Sequence, residues 1–243
     1  MDMAKVVSVN VSKEKGTIKE PASEICIDAN GIAGDAHAGP WHRQVSLLAK
    51  ESLDGFSEQM DRSFAFGEFA ENITPEGIDL SQVAIRDSLR IGEGVLEVSQ
   101  LGKKCHGDGC AMFREVGQCV MPKAGIFASV VTGGSVAPGQ TIEWIQRPFK
   151  IQIITLSDRA AAGVYTDRSG PRVEAILTDH FKDTRWHLEL QREVIPDEAH
   201  RLRTLIEASL ADSADIILTL GSTGVGPRDI APEVVESICD KLI

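Results

Sequence analysis

The chain has 243 residues, 42% of them apolar, which suffices for one large or two small domains with sizeable cores. Its formal net charge of −11 and its pI of about 5.0 argue against nucleic acid or an anionic membrane as the main partner, because both require a basic surface. No apolar run approaches the length of a membrane span and no signal-peptide pattern is present, so we expect a cytoplasmic protein.

The cysteine count points to thiol chemistry more than to structural disulfides. An odd number of cysteines without a signal peptide favours free thiols, a metal site or a catalytic cysteine. The five cysteines are Cys26, Cys105, Cys110, Cys119 and Cys239.

The first half of the chain predicts many short strands and one helix. Strands are expected at residues 5–11, 25–27, 126–131 and 140–145, with a hairpin over 89–99. Apolar residues at Val45, Leu48, Leu53 and Phe56 predict one amphipathic helix that ends near Gln59. Short strands separated by Gly and Pro turns are typical of an antiparallel barrel or sandwich, here over residues 1–148.

The second half, residues 149–243, has a different pattern. Apolar runs at 151–156, 188–195 and 216–220 predict strands, and helical periodicity follows each of them. The helices are expected at 169–181, at 197–210 and from Asp229 onward. This β-α-β-α-β-α order predicts an α/β domain with an open, doubly wound, Rossmann-like sheet.

A glycine-rich loop lies between the last strand and the last helix. Glycines allow a backbone to approach a ligand closely, and a helix start offers unpaired N–H groups to an anion. The loop contributes Gly221, Ser222, Thr223, Gly224, Gly226 and Arg228. It lacks the Lys of a Walker loop, and it differs from the Gly-x-Gly-x-x-Gly fingerprint. The alternative interpretation is an ordinary tight turn in which Asp229 caps the following helix.

The same stretch resembles a known family. It resembles the MoaB/Mog-type molybdopterin-binding proteins, which include molybdopterin adenylyltransferase. The shared motifs are Thr-x-Gly-x-Thr-Gly followed by Arg-Asp-x-x-Pro-Glu, and Thr-Leu-Ser-Asp-Arg after the first strand of this half. The resemblance implies attack of molybdopterin on Mg²⁺-bound ATP, with Asp197 and Asp229 in the active site and Asp158 at the strand end. Without the resemblance, the residues favour helix capping as the role of Asp197 and Asp229, since each lies at a predicted helix start. The family domain continues beyond the segment matched here, so the resemblance implies an incomplete sheet, with full adenylyl transfer not expected from this chain alone.

Several separated motifs of the first half resemble the MOSC domain, the module named from the C-terminal part of molybdenum cofactor sulfurase. They are Gly34-Asp35-Ala-His37, His42-Arg43-Gln44, Glu71-Asn72-Ile-Thr74 and Cys105. The resemblance implies a β-barrel that carries sulfur on Cys105 or holds the molybdenum cofactor, with His37, His42, Arg43 and Asn72 at the ligand. The two histidines could also form a metal pair or pack in the loop, although two histidines without a third ligand are seldom a catalytic metal site.

The residues around Cys105 support a reactive thiol. Lys103, Lys104 and His106 flank it, and nearby cations lower the pKa of a thiol. Two alternatives stay open: a structural zinc held by Cys105, His106, Cys110 and Cys119, or inert buried thiols. The zinc interpretation is the weaker one because no Cys-x-x-Cys pair is present, and we predict no resident metal ion.

Together the two resemblances predict an enzyme of molybdenum cofactor biosynthesis or maturation that binds molybdopterin and, through its second domain, Mg²⁺ with ATP. A non-catalytic carrier or insertion protein and a MOSC-type molybdenum-dependent reductase are the alternatives. A sulfur donor and a molybdoenzyme acceptor are the protein partners that such a role implies. The MoaB/Mog-type family tends to trimerise, so the resemblance also implies a homo-oligomer.

Overall fold

The computed structural model describes residues 3–104 and 118–241. The chain divides into two compact units, Met1–Arg147 and Pro148–Ile243. Cys105, His106 and Cys110 lie outside the described residues, so their predicted roles stay predictions.

The first unit is mostly β-structure. Its strands are β1 (Lys5–Val11), β2 (Glu20–Ala22), β3 (Ile25–Asp28), β4 (Gly31–Ile32), β5 (Val45–Leu47), β6 (Ile73–Glu76), β7 (Ser88–Ile91), β8 (Gly94–Leu101), β9 (Ile126–Thr132), β10 (Gly134–Val136) and β11 (Ile142–Ile145). The described helices of this unit are α1 (Lys50–Met60) and α2 (Met121–Ala124). The predicted hairpin over 89–99 is confirmed as β7 and β8, which pair antiparallel.

Eight strands form one sheet in the order β11-β7-β8-β9-β5-β6-β1-β2. The sheet curls until β1 meets the segment before β11: the Val6 N–H donates to Gln140 O over 2.8 Å, and the Ile142 N–H donates to Ala4 O over 2.8 Å. These bonds close the barrel that the first half was expected to form. Closure covers the open edge of the sheet at β11, and exposed strand edges are prone to aggregation.

The barrel interior is filled by aliphatic side chains that alternate along the strands. Leu47, Ile73, Ile91 and Leu96 are each fully buried in this core. A second cluster, which includes Leu53 and four buried phenylalanines, packs beneath α1. The fold therefore rests mainly on burial of apolar area, at roughly 25 cal/mol per Å².

The predicted start of the helix near Val45 is wrong. Val45–Leu47 is strand β5, paired with β9 on one side and β6 on the other, and α1 begins only at Lys50. The three residues of β5 are all buried, and a strand buried on both faces loses the alternation that distinguishes it from a helix.

The second unit is an α/β layer structure, as expected. Its strands are β12 (Pro148–Leu156), β13 (His187–Ile195) and β14 (Ile216–Leu220), and its helices are α3 (Asp158–Ala161), α4 (Ser169–Phe181), α5 (Ala199–Ala211) and α6 (Ala231–Glu236). The strands are parallel in the order β13-β12-β14, so β12 lies at the centre of the described sheet.

Helices cover both faces of this sheet. Ile154 and Leu156 of β12 pack with Leu202 of α5 and Val234 of α6 on one face. On the other face, Phe149 contacts Phe181 at the end of α4, with ring centroids 5.5 Å apart. The central strand is consequently buried on both sides, which explains why its last six residues are all buried and mostly apolar.

Candidate functional site

A cavity of about 410 Å³ opens beside the barrel, within the range of 300–1,000 Å³ that is usual for small-molecule pockets. One part of its wall is apolar, another carries polar and charged side chains. The apolar part includes Ile18, Trp41, Phe69, Met121 and Phe127; the polar part includes Lys15, His37, Arg43, Ser46, Glu68, Asn72, Lys103 and Cys119.

Arg43 is held in this wall by aromatic rings. Its guanidinium carbon lies 4.8 Å from the ring centroid of Trp41 and 5.7 Å from that of Phe127, within cation–π range. Its Nε is buried and has no hydrogen-bond partner among the residues that the structure describes. The neighbouring Gln44 fixes the segment, because its amide donates to Gly39 O and accepts from the Val130 N–H of β9.

A buried ion pair supports the polar side of the cavity. Lys19 Nζ donates to Asp35 Oδ2, and both side chains are 1% exposed. The same Oδ2 accepts from the Ser12 N–H and from Asn72 Nδ2, each over 3.1 Å. Asp35 Oδ1 accepts from the His37 N–H over 2.9 Å and lies 3.3 Å from His37 Nδ1. Asp35 thus fixes the backbone and ring of His37 at the cavity wall.

The pKa values of the pair move in the directions that this geometry dictates. Burial alone would raise the pKa of Asp35, but hydrogen bonds from His37 and Lys19 and the charge of Lys19 outweigh it and hold the pKa well below its usual range. Burial lowers the pKa of Lys19, and Asp35 acts in the opposite direction through its hydrogen bond and charge. Asp35 is therefore an ionised anchor.

Asn72 connects this anchor to the strands. Its Nδ2 donates to Asn10 O and to Asp35 Oδ2, while its Oδ1 accepts from the Ser46 hydroxyl over 2.9 Å. The preceding Glu71 is fully buried, and its Oε1 accepts from the Gly67 N–H and from the Thr74 hydroxyl. Burial raises the pKa of Glu71, and these hydrogen bonds oppose that rise.

Three of the four predicted ligand contacts of this half, His37, Arg43 and Asn72, line the cavity together. His42 does not: it is exposed, and its Nε2 lies 3.0 Å from Gln100 Oε1. The cavity wall also includes Lys103 and Cys119. In the sequence, these residues lie before and after residues 105–117, the range outside the described structure that contains Cys105.

Lys15, Lys19 and Glu68 were missed by the sequence reasoning. Lys15 and Lys19 lie between strands in an unremarkable polar stretch, and Glu68 lies in a turn, so no periodicity marks any of the three. The nearest available signal was Asp35, because a buried carboxylate needs a cationic partner.

In the second unit, the predicted acidic residues meet at the carboxyl edge of the sheet. Leu156 is in register with Ile195, so Asp158 and Asp197 follow adjacent strand ends. The Asp158 N–H donates to Asp197 Oδ2 over 3.0 Å, and the Asp197 N–H donates to Asp158 Oδ1 over 3.1 Å. Ligands of open α/β sheets bind at this edge.

The glycine loop lies at the same edge and reaches Asp158 through Arg228, whose Nη2 lies 2.6 Å from Asp158 Oδ2. Gly221 has φ +92°, and a Cβ there would lie 2.4 Å from Leu156 O, so only glycine fits. Ser222 takes the left-handed region at φ 52° and is held there because its hydroxyl donates to Arg228 O and accepts from the Ile230 N–H.

The helix-capping interpretation of the two aspartates is wrong. α5 begins at Ala199 after Glu198, and α6 begins at Ala231 after Ile230, and neither start has a side-chain cap. Asp229 Oδ2 instead accepts from the Gly226 N–H over 2.8 Å, inside the loop. Gly224 packs against the same carboxylate, since a Cβ there would lie 2.6 Å from Asp229 Oδ2, and Thr223 is exposed.

Within residues 3–104 and 118–241, no three His, Cys, Asp or Glu side chains come together as a group that could hold a metal ion. In the same ranges no helix is both long enough and apolar enough to cross a membrane.

A closed barrel with a cationic cavity, and an α/β sheet with acids and a glycine loop at its carboxyl edge, define a two-domain ligand-binding protein. Comparison with known families assigns both domains. Residues 34–143 match the MOSC domain, and residues 152–243 match the family described as "Probable molybdopterin binding domain". The first domain thus matches the MOSC domain and the second matches this molybdopterin-binding family, and both are domains of molybdenum cofactor biosynthesis.

Individual relatives agree with this assignment. The molybdopterin adenylyltransferases of Helicobacter pylori (strain ATCC 700392 / 26695) and Escherichia coli (strain K12) are 36% identical over 98 residues and 33% identical over 97 residues, each covering 38% of this chain. The chain spans about half the length of these relatives, 52% and 46% respectively. The crystal structure of the YUAD protein from Bacillus subtilis covers 60% of this chain and 98% of its own, at 17% identity and a TM-score of 0.52, and supports the fold of the first domain.

Proposed function

We propose that the chain binds molybdopterin, or the molybdenum cofactor built on it, in the cavity of the MOSC domain and acts in the biosynthesis or maturation of that cofactor. The observation that carries the proposal is Arg43, which contacts two aromatic rings at the cavity wall while its buried Nε has no described protein partner. A buried donor without a partner costs about 1–3 kcal/mol, and an anionic ligand atom would remove that cost.

The rest of the wall fits such a ligand. Among the described residues of the wall, Lys15, Arg43 and Lys103 contribute three positive charges and Glu68 contributes one negative charge. In a chain of net charge −11, this local surplus attracts an anion such as a pterin phosphate. Trp41, Phe69 and Phe127 offer flat apolar surface to a fused ring.

The reactive thiol of this proposal is Cys105. It follows Lys103 by two residues, and Lys103 lines the cavity. A thiolate at this point would carry sulfur for the cofactor or ligate its metal, and the neighbouring lysines would favour the thiolate form. When bound, the cofactor supplies the dithiolene and metal chemistry; the protein's part is to hold it, with Arg43 and His37 on its polar groups.

For the second domain we propose that the glycine loop and the Asp158–Asp197 pair bind the phosphate and pterin groups of an adenylyl-transfer reaction. Carboxylates at a sheet edge are suited to Mg²⁺, which would accompany ATP, and the loop amides are suited to oxyanions. The chain spans about half the length of the adenylyltransferase relatives, so the complete transfer reaction is proposed for this chain and does not follow from the similarity alone.

Mass spectrometry of the purified full chain tests the first-domain function. The native protein should release a pterin on denaturation, with or without molybdenum. Cys105 should carry persulfide after exposure to a persulfide donor, which passes its outer sulfur atom to the Cys105 thiolate and leaves as a thiolate. Cys105→Ser should lose persulfide loading or cofactor retention, whereas Cys239→Ser, at an exposed cysteine of the second unit, should not. The absence of pterin, molybdenum and persulfide together would refute the proposal.

Equilibrium binding of ATP tests the second domain. Binding should require Mg²⁺ and weaken roughly tenfold in Asp197→Asn, the effect of losing about 1.4 kcal/mol of charge interaction. Asp183→Asn, at an exposed carboxylate of the same unit, is the matched control. Equal affinities with and without Mg²⁺ would count against a metal-assisted site at this edge.

A further inference from the structure

Glu68 is an unusual member of the cavity wall because one oxygen of its carboxylate is buried without a hydrogen-bond partner in the described structure. It lies in the turn before Phe69, its side chain lines the cavity, and its Oε2 is buried. This Oε2 has no hydrogen-bond partner among residues 3–104 and 118–241. Asp35, a structural carboxylate of the same unit, behaves differently: it is engaged by Lys19, Ser12, Asn72 and His37.

Basic side chains line the same wall, but none of them forms an ion pair with Glu68 in the described structure. Lys15 and Lys103 line the cavity without an ion pair to Glu68, and Arg43 is engaged by Trp41 and Phe127. A carboxylate that is half-buried and unpaired is costly, because burial penalises a charge that nothing compensates. Such groups persist where a ligand completes them.

The chemistry of the wall defines what that ligand must present. It needs a flat ring for the aromatic surface, an anionic group for the basic side chains, and N–H donors for Glu68. An amino group beside a ring N–H, as in pterin or guanine, offers two parallel donors that match the two oxygens of one carboxylate. In a ring with a carbonyl group in place of the amino group, the carbonyl oxygen would face a carboxylate oxygen of Glu68, and two acceptors repel each other.

We propose that Glu68 is the specificity-determining residue of this cavity: its carboxylate accepts two hydrogen bonds from the 2-amino and ring N–H edge of a fused pyrimidinone, while the basic residues of the wall hold the anionic end. The inference rests on the proposed function of the first domain and adds the orientation of the ring. It also explains why one acid stands in an otherwise basic wall.

Two fluorescent probes test this orientation on the full chain. Neopterin phosphate carries the 2-amino group; a lumazine with the same phosphorylated side chain has a carbonyl oxygen there. The wild-type protein should bind the pterin roughly 10- to 100-fold more tightly, the range given by one charge-assisted hydrogen-bonded pair. Glu68→Gln should lose most of this preference, while Glu58→Gln, at an exposed position of α1, should retain it.

Thermal unfolding of the same variants separates a binding role from a structural one. Glu68→Gln removes an uncompensated charge, so its melting temperature should equal or exceed that of the wild type. A lower melting temperature with unchanged ring preference would assign Glu68 to the fold and overturn the inference. Equal affinity of the wild type for both probes would also overturn it, while leaving the proposed function in place. Binding of neither probe would overturn both.

Discussion

The substitution Asp35→Asn is the sharpest test of how the cavity wall is held. Asp35 is 6% exposed as a residue and receives contacts from Lys19, Ser12, Asn72 and His37. Asparagine preserves the shape and one acceptor oxygen, but it removes the negative charge opposite Lys19. The lysine, with a side chain 1% exposed, would then be buried without a counter-ion.

The size of the effect follows from that geometry. Removing one partner of a buried pair typically costs about 3–5 kcal/mol, because the remaining charge stays desolvated. The unfolding free energy of a domain is about 5–15 kcal/mol, so this loss is a large part of the total. The lowered pKa of Asp35 means that its contribution is present above the unfolded-state pKa and is lost as the pH falls, so pH 7 is the proper condition.

Urea denaturation followed by tryptophan fluorescence measures this loss. Trp41 and Trp144 lie in the first unit and Trp186 in the second, so a Trp186→Phe background makes the signal report the barrel. The double variant Lys19→Met/Asp35→Asn should be less destabilised than the two single variants summed, by more than 1 kcal/mol, because it buries no unpaired charge. Additivity within about 0.5 kcal/mol would refute the reasoning.

Two further predictions concern single residues. Burial raises the pKa of Glu71, so the favourable contribution of this residue to stability is present below the unfolded-state pKa of about 4.5 and is lost as the pH rises through the folded-state pKa. The variant Glu71→Gln should therefore gain stability relative to the wild type with rising pH, by up to about 1.4 kcal/mol per pH unit, in urea titrations at pH 4 to 8. A stability difference that does not depend on pH would contradict this. Gly221→Ala should destabilise the second unit by about 1–3 kcal/mol, more than Gly163→Ala, because both have positive φ but only Gly221 has a carbonyl oxygen where the Cβ would lie; equal losses would argue against that steric reason.

The pattern of apolar residues predicted those elements in which a strand or helix period is undisturbed. The β7–β8 hairpin and α4 were found because alternation and helical spacing there are undisturbed. β5 was mistaken for a helix because its three residues are all buried between two neighbours. Burial on both sides is a property of the assembled sheet, and a local window of sequence does not contain it.

The candidate sites were predictable where neighbours in the sequence are also neighbours in space. The glycine loop is one continuous segment, and its link to Asp158 and Asp197 follows from parallel strand order. The cavity gathers His37, Arg43, Glu68 and Lys103 from distant segments, and only the barrel's strand order brings them together. Lys19 needed the same information, since 16 residues separate it from Asp35.

The presence or absence of hydrogen-bond partners distinguishes the buried residues that stabilise the barrel from those that we propose to contact a ligand. The described structure leaves three buried side-chain atoms without a partner, namely Arg43 Nε, Glu68 Oε2 and Glu71 Oε2, and the first two belong to the cavity wall. Asp35 and Asn72, beside them, are engaged by several donors and acceptors. Since proteins satisfy buried polar groups wherever the fold permits, the two unsatisfied groups of the wall support the proposal that a bound molecule completes this part of the domain. One is a donor and the other an acceptor, so that molecule must present both.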